Sequence, residues 1–464
     1  MLAMGVFLLV PVVAMSANVY DGTISDYRIG KLTTEEGLSQ SSVQSICQDN
    51  LGYVWLGTKD GLDRYDGYGF VSFKSNPFDA GTLSTNDVVC VTSDADNNLY
   101  IGTRCGGLNK YLMHEDRIVR MNDVVPSTAT VEFVFFDQDS NMLIGTEFGL
   151  FFGVPCDTCT HGYNFSNVSQ KSVYRAVDGS ILARTKNFIN TVSVCQLSQN
   201  VYLVGTGSGL FIYRRDESTF QLLDLGYLSL ARVNSIARRG ETDFFIATSN
   251  GMGCYQWNGN GLIQKQLYST FQPVGYRLES NWISVLVLDS ANTVWGGGRG
   301  MGLFCIGDDL KVASFTSDPV DANTLNDKTV NSLMIDACGV LWIGTESKGC
   351  GMLDLNRKPI FRFDNIASYK ANFNNDVVTA IAGDGKGTLY IGSALNGRHR
   401  IRQNGTDSYS VEPMSIGSYA NMQSKEILSL YFDSKKNLWI SSLYNWITKV
   451  DAKGRYSTFP TSAF

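Results

Sequence analysis

A ninefold internal repeat constrains this chain more than any other feature. Short apolar runs recur that end in a small residue, then Thr, Ser or Gly, and most continue within a few residues to Gly-Leu. The best copy is Val54-Trp55-Leu56-Gly57-Thr58-Lys59-Asp60-Gly61-Leu62. The small residue falls at Gly57, Gly102, Gly145, Gly205, Ala247, Gly297, Gly344, Gly392 and Ser441, which gives spacings of 45, 43, 60, 42, 50, 47, 48 and 49 residues. A period in the forties with strand-like content is the mark of a repeat architecture.

One unit shows what each repeat forms. Val43 to Cys47 alternates, as a strand with two different faces does. Asp49-Asn50-Leu51-Gly52 is a turn, because Asx side chains bond their own backbone and Gly accepts positive φ. Tyr53 to Leu56, Leu62 to Tyr65 and Phe70 to Phe73 read as three more strands, with a hairpin signal at Asp66-Gly67. Four strands in roughly 45 residues make one propeller blade. A lone blade cannot cover both of its faces, so blades pack radially. The 46 glycines against 9 prolines fit many tight turns, and no long helical periodicity is present. The Trp-x-Gly positions read as scaffold: an aromatic ring packed between blades and a glycine permitting a close turn.

Composition narrows the partners. The net charge is −6 and no basic run exists, which argues against nucleic acid. Residues Leu2 to Val13 are apolar and are followed by Ala14-Met15-Ser16-Ala17, so residues 1–17 read as a signal peptide. The ten cysteines are Cys47, Cys90, Cys105, Cys156, Cys159, Cys195, Cys254, Cys305, Cys338 and Cys350. Most fall in predicted strands or Gly-rich turns, where a thiol packs as a small apolar group. Cys156 and Cys159 with His161 form the one cluster. Three ligands fall short of the four that zinc takes, so a local disulfide or a pair of free thiols is expected and no metal or other cofactor is. Three histidines in the whole chain leave little for a His-based centre.

Two stretches carry a family resemblance. Leu32 to Val43 (LTTEEGLSQSSV) followed by Asp49 to Gly67 (DNLGYVWLGTKDGLDRYDG), and Asn326 to Leu333 before Leu341 to Thr345, are similar to two-component regulator propeller repeats. The similarity extends over nearly the whole mature chain, with its fourth, fifth and ninth units degraded. The resemblance implies the periplasmic sensor of a hybrid two-component system, binding oligosaccharides released from glycans. In that family two seven-bladed propellers precede a β-sandwich, a membrane span and a kinase; this chain stops after its ninth unit. A homodimer held through a C-terminal region beyond Phe464 is a further expectation of the resemblance.

The expected architecture is all-β. A seven-bladed β-propeller of four-stranded blades spans residues 18–356, and two further blades of an incomplete second propeller span 357–464. Tyr27 to Lys31 is expected to add the outer strand of blade seven and close the ring, and Lys358 to Phe363 to begin the second ring. One larger ring, or two stray blades capping the first, are the alternatives.

In a propeller two loop sets share one face: those entering each innermost strand and those joining the second and third strands. The second set contains Lys59, Asp60, Arg104, Glu147, Ser208, Asn250, Arg299, Glu346, Ser347 and Lys348; the first contains Asn86, Asp87, Arg232, Asn281, Trp282 and Asn326 to Lys328. Polar groups bond sugar hydroxyls, aromatic rings stack on sugar C–H faces, and Arg pairs with carboxylate or sulfate. The ligand-binding candidates are Lys59, Asp60, Arg104, Asn281, Trp282, Arg299, Glu346 and Lys348. No catalytic residue is expected: a glycosidase needs two carboxylates across the sugar, and nothing in the spacing pairs Glu147 with Glu346. The competing readings are an exported carbohydrate-active propeller enzyme, a glycosidase or lyase, and a protein-docking scaffold.

Overall fold

The computed structural model describes residues 29–315, 324–325, 327–356, 377–385, 387–395, 397–403, 409–414, 426–443 and 446–460. The apolar leader, Tyr27, Arg28, Asn326 and the Lys358 to Phe363 segment lie outside them. The chain divides into two compact units, Met1–Asn356 and Arg357–Phe464.

The first unit holds seven sheets and the second holds two. Blade one consists of Val43–Gln48, Val54–Thr58, Gly61–Tyr65 and Phe70–Phe73, in that order from the inside out. The innermost strands of the first unit pack in succession, and the last, Val330–Ile335, packs against the first, Val43–Gln48, which closes a ring of seven. Blade seven takes its outermost strand from the start of the described chain. Gly30–Leu32 pairs antiparallel with Cys350–Asp354, placing Gly30 opposite Met352 and Leu32 opposite Cys350.

Blade four departs from the four-strand expectation. Its sheet has five strands, the outermost being Val173–Arg175, which runs parallel to Thr219–Leu222. This strand belongs to the 60-residue interval between Gly145 and Gly205, the longest in the repeat. The connection also carries two four-residue helices, Val168–Lys171 and Lys186–Ile189. Tyr174 fixes the added strand by stacking on Phe220 with ring centroids 4.8 Å apart.

The core lies between blades. The second strand of blade one, Val54–Thr58, is buried along its whole length. Trp55, Trp295 and Trp342 are buried at equivalent positions. Each indole Nε1 donates to an aspartate six residues earlier: Trp55 to Asp49 at 2.8 Å, Trp295 to Asp289 at 2.9 Å and Trp342 to Asp336 at 2.8 Å. The other oxygen of Asp49 accepts the Leu51 and Tyr53 amides, so one carboxylate shapes the turn and satisfies the ring beyond it. Trp439 and Asp433 repeat the arrangement in the second unit.

The glycine of Trp-x-Gly does not act as a turn residue. Gly57 sits inside a buried strand, and a Cβ there would come within 2.7 Å of Val88 on the next blade. Gly205 and Gly297 face Val233 and Val330 in the same way. Close approach of neighbouring blades excludes the side chain.

Removing a large buried aromatic costs about 3–5 kcal/mol. Trp55→Ala should lower the urea midpoint of the first unit accordingly. Asp49→Ala should cost about 1–3 kcal/mol, the cost of leaving a buried donor unsatisfied. An unchanged midpoint in both variants would contradict the clamp.

Candidate functional site

The glycine after each Gly-Thr builds the face that carries the predicted loops. Gly61, Gly107, Gly149, Gly209, Gly251, Gly302 and Gly349 all have positive φ, from 70° to 127°. An added Cβ at Gly61 would meet the Phe73 carbonyl at 2.7 Å, so glycine is required twice over. In six of these seven blades a Thr hydroxyl, from Thr58, Thr103, Thr146, Thr206, Thr248 or Thr345, donates to the glycine carbonyl at 2.7–2.9 Å. At six junctions the glycine amide donates to the entry loop of the next blade: Gly61 to Asn86, Gly107 to Ala129, Gly209 to Ala231, Gly251 to Asn281, Gly302 to Lys328 and Gly349 to Ser41, all at 2.8–2.9 Å. Between blades three and four the Gly149 amide makes no such backbone bond among the described residues, and the long connection leaves the ring there. The two loop sets are therefore bound to each other on one face.

Side chains on this face are mostly engaged with one another. Lys59 and Glu346 form an ion pair across the closure between blades one and seven. Asn331 donates to Glu346 at 2.7 Å. Burial opposes the charged form of Glu346, but hydrogen bonds from Lys59 and Asn331 and the Lys59 charge outweigh it and hold its carboxyl below the ordinary range. Asp60 pairs with Lys74 and accepts from Asn86. Arg104 pairs with Asp87 at 2.9 Å. The Asn281 side chain accepts the Thr270 amide and is a loop brace. Glu147 accepts the Thr130 amide through both oxygens and caps the neighbouring entry loop. Trp282 and Arg299 are brought together directly: the guanidinium lies 4.2 Å from the ring centroid, and the Arg299 amide donates to the Trp282 carbonyl. Arg299 has no carboxylate partner among the described residues. Lys348 is exposed beside Glu346.

One participant escapes the loop-based reading. Glu132 pairs with Arg232 at 3.2 Å, joining the innermost strand of blade three to the entry loop of blade five. Every innermost strand of the first unit skips a residue at its second position: Gln44, Val89, Glu132, Val192, Asn234, Ser284 and Asn331. Such bulges re-aim side chains. Five of the seven are polar, and that enrichment is the sequence signal that marks them.

Cys156 and Cys159 form a disulfide, so neither thiolate is available to a metal. His161 instead bonds the Asp123 carboxylate at 2.8 Å. No group of three His, Cys, Asp or Glu side chains among the described residues is arranged to hold a metal ion. Burial pushes the Cys90, Cys305 and Cys350 thiols up to about 12, so they serve as packing.

The chain carries two-component regulator propeller repeats, matched at residues 37–60 and 324–347. A 60-residue stretch is 43% identical to histidine kinase P4 of Formosa agariphila, covering 13% of this chain and 4% of that protein. The fold is similar to the extracellular domain of a putative hybrid two-component system from B. thetaiotaomicron, with a TM-score of 0.60, 20% identity, and coverage of 93% of this chain and 54% of that one. The extracellular domain of a putative one-component system from the same organism gives a TM-score of 0.54 at 20% identity, covering 93% and 53%. The chain thus spans about half the length of the solved structures it matches. No helix among the described residues is long and apolar enough to cross a membrane.

The Glu346 pair gives a pH-dependent expectation. A carboxyl lowered in the folded state adds stability above its unfolded value, about 4.3 for Glu. That contribution disappears as the pH falls through the lower folded value. Glu346→Gln should flatten the acid side of the stability profile and leave the neutral side nearly parallel, because the pair is solvent-screened. An identical acid-side slope in both proteins would contradict the cluster.

Proposed function

We propose that this chain is the ligand-sensing propeller region of an exported two-component signalling protein, and that its loop face binds an oligosaccharide without cleaving it. The observation that carries the reading is the Arg299–Trp282 pair. It sets a planar cation on an aromatic ring, within a face where Lys59, Glu346, Asp60, Arg104 and Asp87 are held in ion pairs. Rigid, pre-paired loops suit recognition, because little order remains to be gained on binding. The resemblance of the repeats to two-component regulator propellers, and the extracellular domains that share the fold, support a sensor role.

The carboxylates favour binding over hydrolysis. A glycosidase acid needs a raised pKa. Glu346 is shifted the other way, Glu132 is held by Arg232, and Glu147 caps a loop. In this reading the sensor sits in the periplasm, and turnover belongs to other proteins.

Calorimetry against neutral, uronic and sulfated oligosaccharides, with product analysis on the same samples, tests both halves. The expected outcome is saturable binding with no released reducing ends. Trp282→Ala should weaken any bound saccharide. For an acidic ligand Arg299→Ala should cost about 1.5–3 kcal/mol, as for a hydrogen bond to a charged group. Arg104→Ala should cost less, because Arg104 already serves Asp87. Turnover of any panel member would overturn the sensor reading, and silence across the panel would favour a protein-docking scaffold.

A further inference from the structure

A polar cleft lies at the margin of the same loop face, where blade three meets its neighbours. It is an open depression of about 560 Å3 whose polar side chains face solvent. One wall is the segment leading into blade three, with Asn122, Asp123, Ser127 and Thr128. The other is the short helix leading out of it, with Gln170, and Val124 and Pro126 form an apolar patch above the buried Phe151 ring. None of these residues was singled out by the repeat pattern: Phe151 is a core residue of the third strand of blade three, and the other residues flank that blade rather than follow its Gly-Thr.

The cleft differs from the centre of the face in its hydrogen bonding. There, ion pairs engage most side chains. Here, among the described residues, the side chains of Asn122, Ser127, Thr128 and Gln170 make no hydrogen bond to the protein. The frame around them is fixed. Asn167 caps the Val168–Lys171 helix and donates to the Phe148 carbonyl at 3.1 Å, tying the outgoing wall to the Phe148 backbone. On the other side the Cys156–Cys159 disulfide shapes the hairpin that presents His161 to Asp123. Two amides, two hydroxyls and a carboxylate around an apolar patch match the alternation of hydroxyls and C–H faces on a sugar. The lining residues include no Lys or Arg, and the Asp123 carboxylate would repel an anionic ligand.

We propose that this cleft is a subsite for an uncharged sugar unit, distinct from the Arg299–Trp282 position. The inference rests on the oligosaccharide-binding reading and deepens it by assigning a neutral unit to a specific place. Asn122 and Gln170 donate to and accept from ring hydroxyls. Asp123, oriented by His161, accepts from a vicinal pair. Val124 and Pro126 meet a C–H face.

The test is calorimetric titration of the full chain with neutral trisaccharides (cellotriose, maltotriose, xylotriose, mannotriose) and with trigalacturonate. Two variants are compared with the parent: Asn122→Ala combined with Gln170→Ala, and Gln170→Ala alone, which alters one exposed helix residue and guards against misfolding. Binding of at least one neutral trisaccharide is expected. The double variant should weaken it by on the order of tenfold, the effect of losing two hydrogen bonds to hydroxyls. Gln170→Ala should produce part of that loss with an unchanged melting temperature. Neutral binding that falls with Trp282→Ala but not with either cleft variant would overturn the cleft and leave the oligosaccharide reading standing. Trigalacturonate binding that is weakened by the cleft variants would overturn the uncharged assignment. No binding by any trisaccharide would overturn the oligosaccharide reading and the cleft with it.

Discussion

Everything on the loop face depends on one repeated backbone contact. A glycine with positive φ donates its amide across to the next blade, and at all of these junctions but the one at Gly302 the preceding Thr hydroxyl also holds its carbonyl. The contact recurs at six junctions, including Gly349 to Ser41, where the two ends of the first unit meet. It does two things at once. It sets the radial spacing that lets Gly57 pack on Val88, and it joins the two loop sets into one continuous surface. The outer strand Gly30–Leu32 reinforces the same closure from the rim. A ring is cooperative in this respect: opening any one junction exposes the buried strands on both sides.

Much of this was legible from the sequence because repeats make packing periodic. The nine units, their strand order and the burial of Trp55, Trp295 and Trp342 followed from spacing and aromatic placement. Other features were hidden for physical reasons. The Asp49–Trp55 bond joins residues whose sequence reading is simply turn and strand, and its meaning emerges only when Asp289, Asp336 and Asp433 repeat it. The bulge that re-aims Glu132 leaves no mark on an alternating pattern within one strand. The fifth strand of blade four announced itself solely as a 60-residue interval, whose content is too polar to read as a strand. Gly57 looked like a turn residue because the neighbour that excludes its side chain, Val88, is 31 positions away.

Of the predicted site, the face was legible and the availability of its residues was not. Sequence places Lys59, Asp60, Arg104 and Glu346 on one surface, yet each finds an opposite charge or an amide there. Arg104 with Asp87 and Lys59 with Glu346 are pairings between separate loops, fixed only once the blades are assembled. Trp282 and Arg299 come from the two loop sets of one blade and meet because the backbone bond between them brings those loops together. Long-range pairing thus gives the face rigidity and engages most of its charged groups.

Native-state hydrogen exchange at the junction glycines tests the closed ring most directly. The account predicts that the amides of Gly61, Gly107, Gly209, Gly251, Gly302 and Gly349 exchange slowly and with similar protection, and that Gly149, at the junction without the bond, exchanges faster. A Gly349 amide that exchanges far faster than the other five would show that the first and seventh blades do not close on each other, and would contradict the ring.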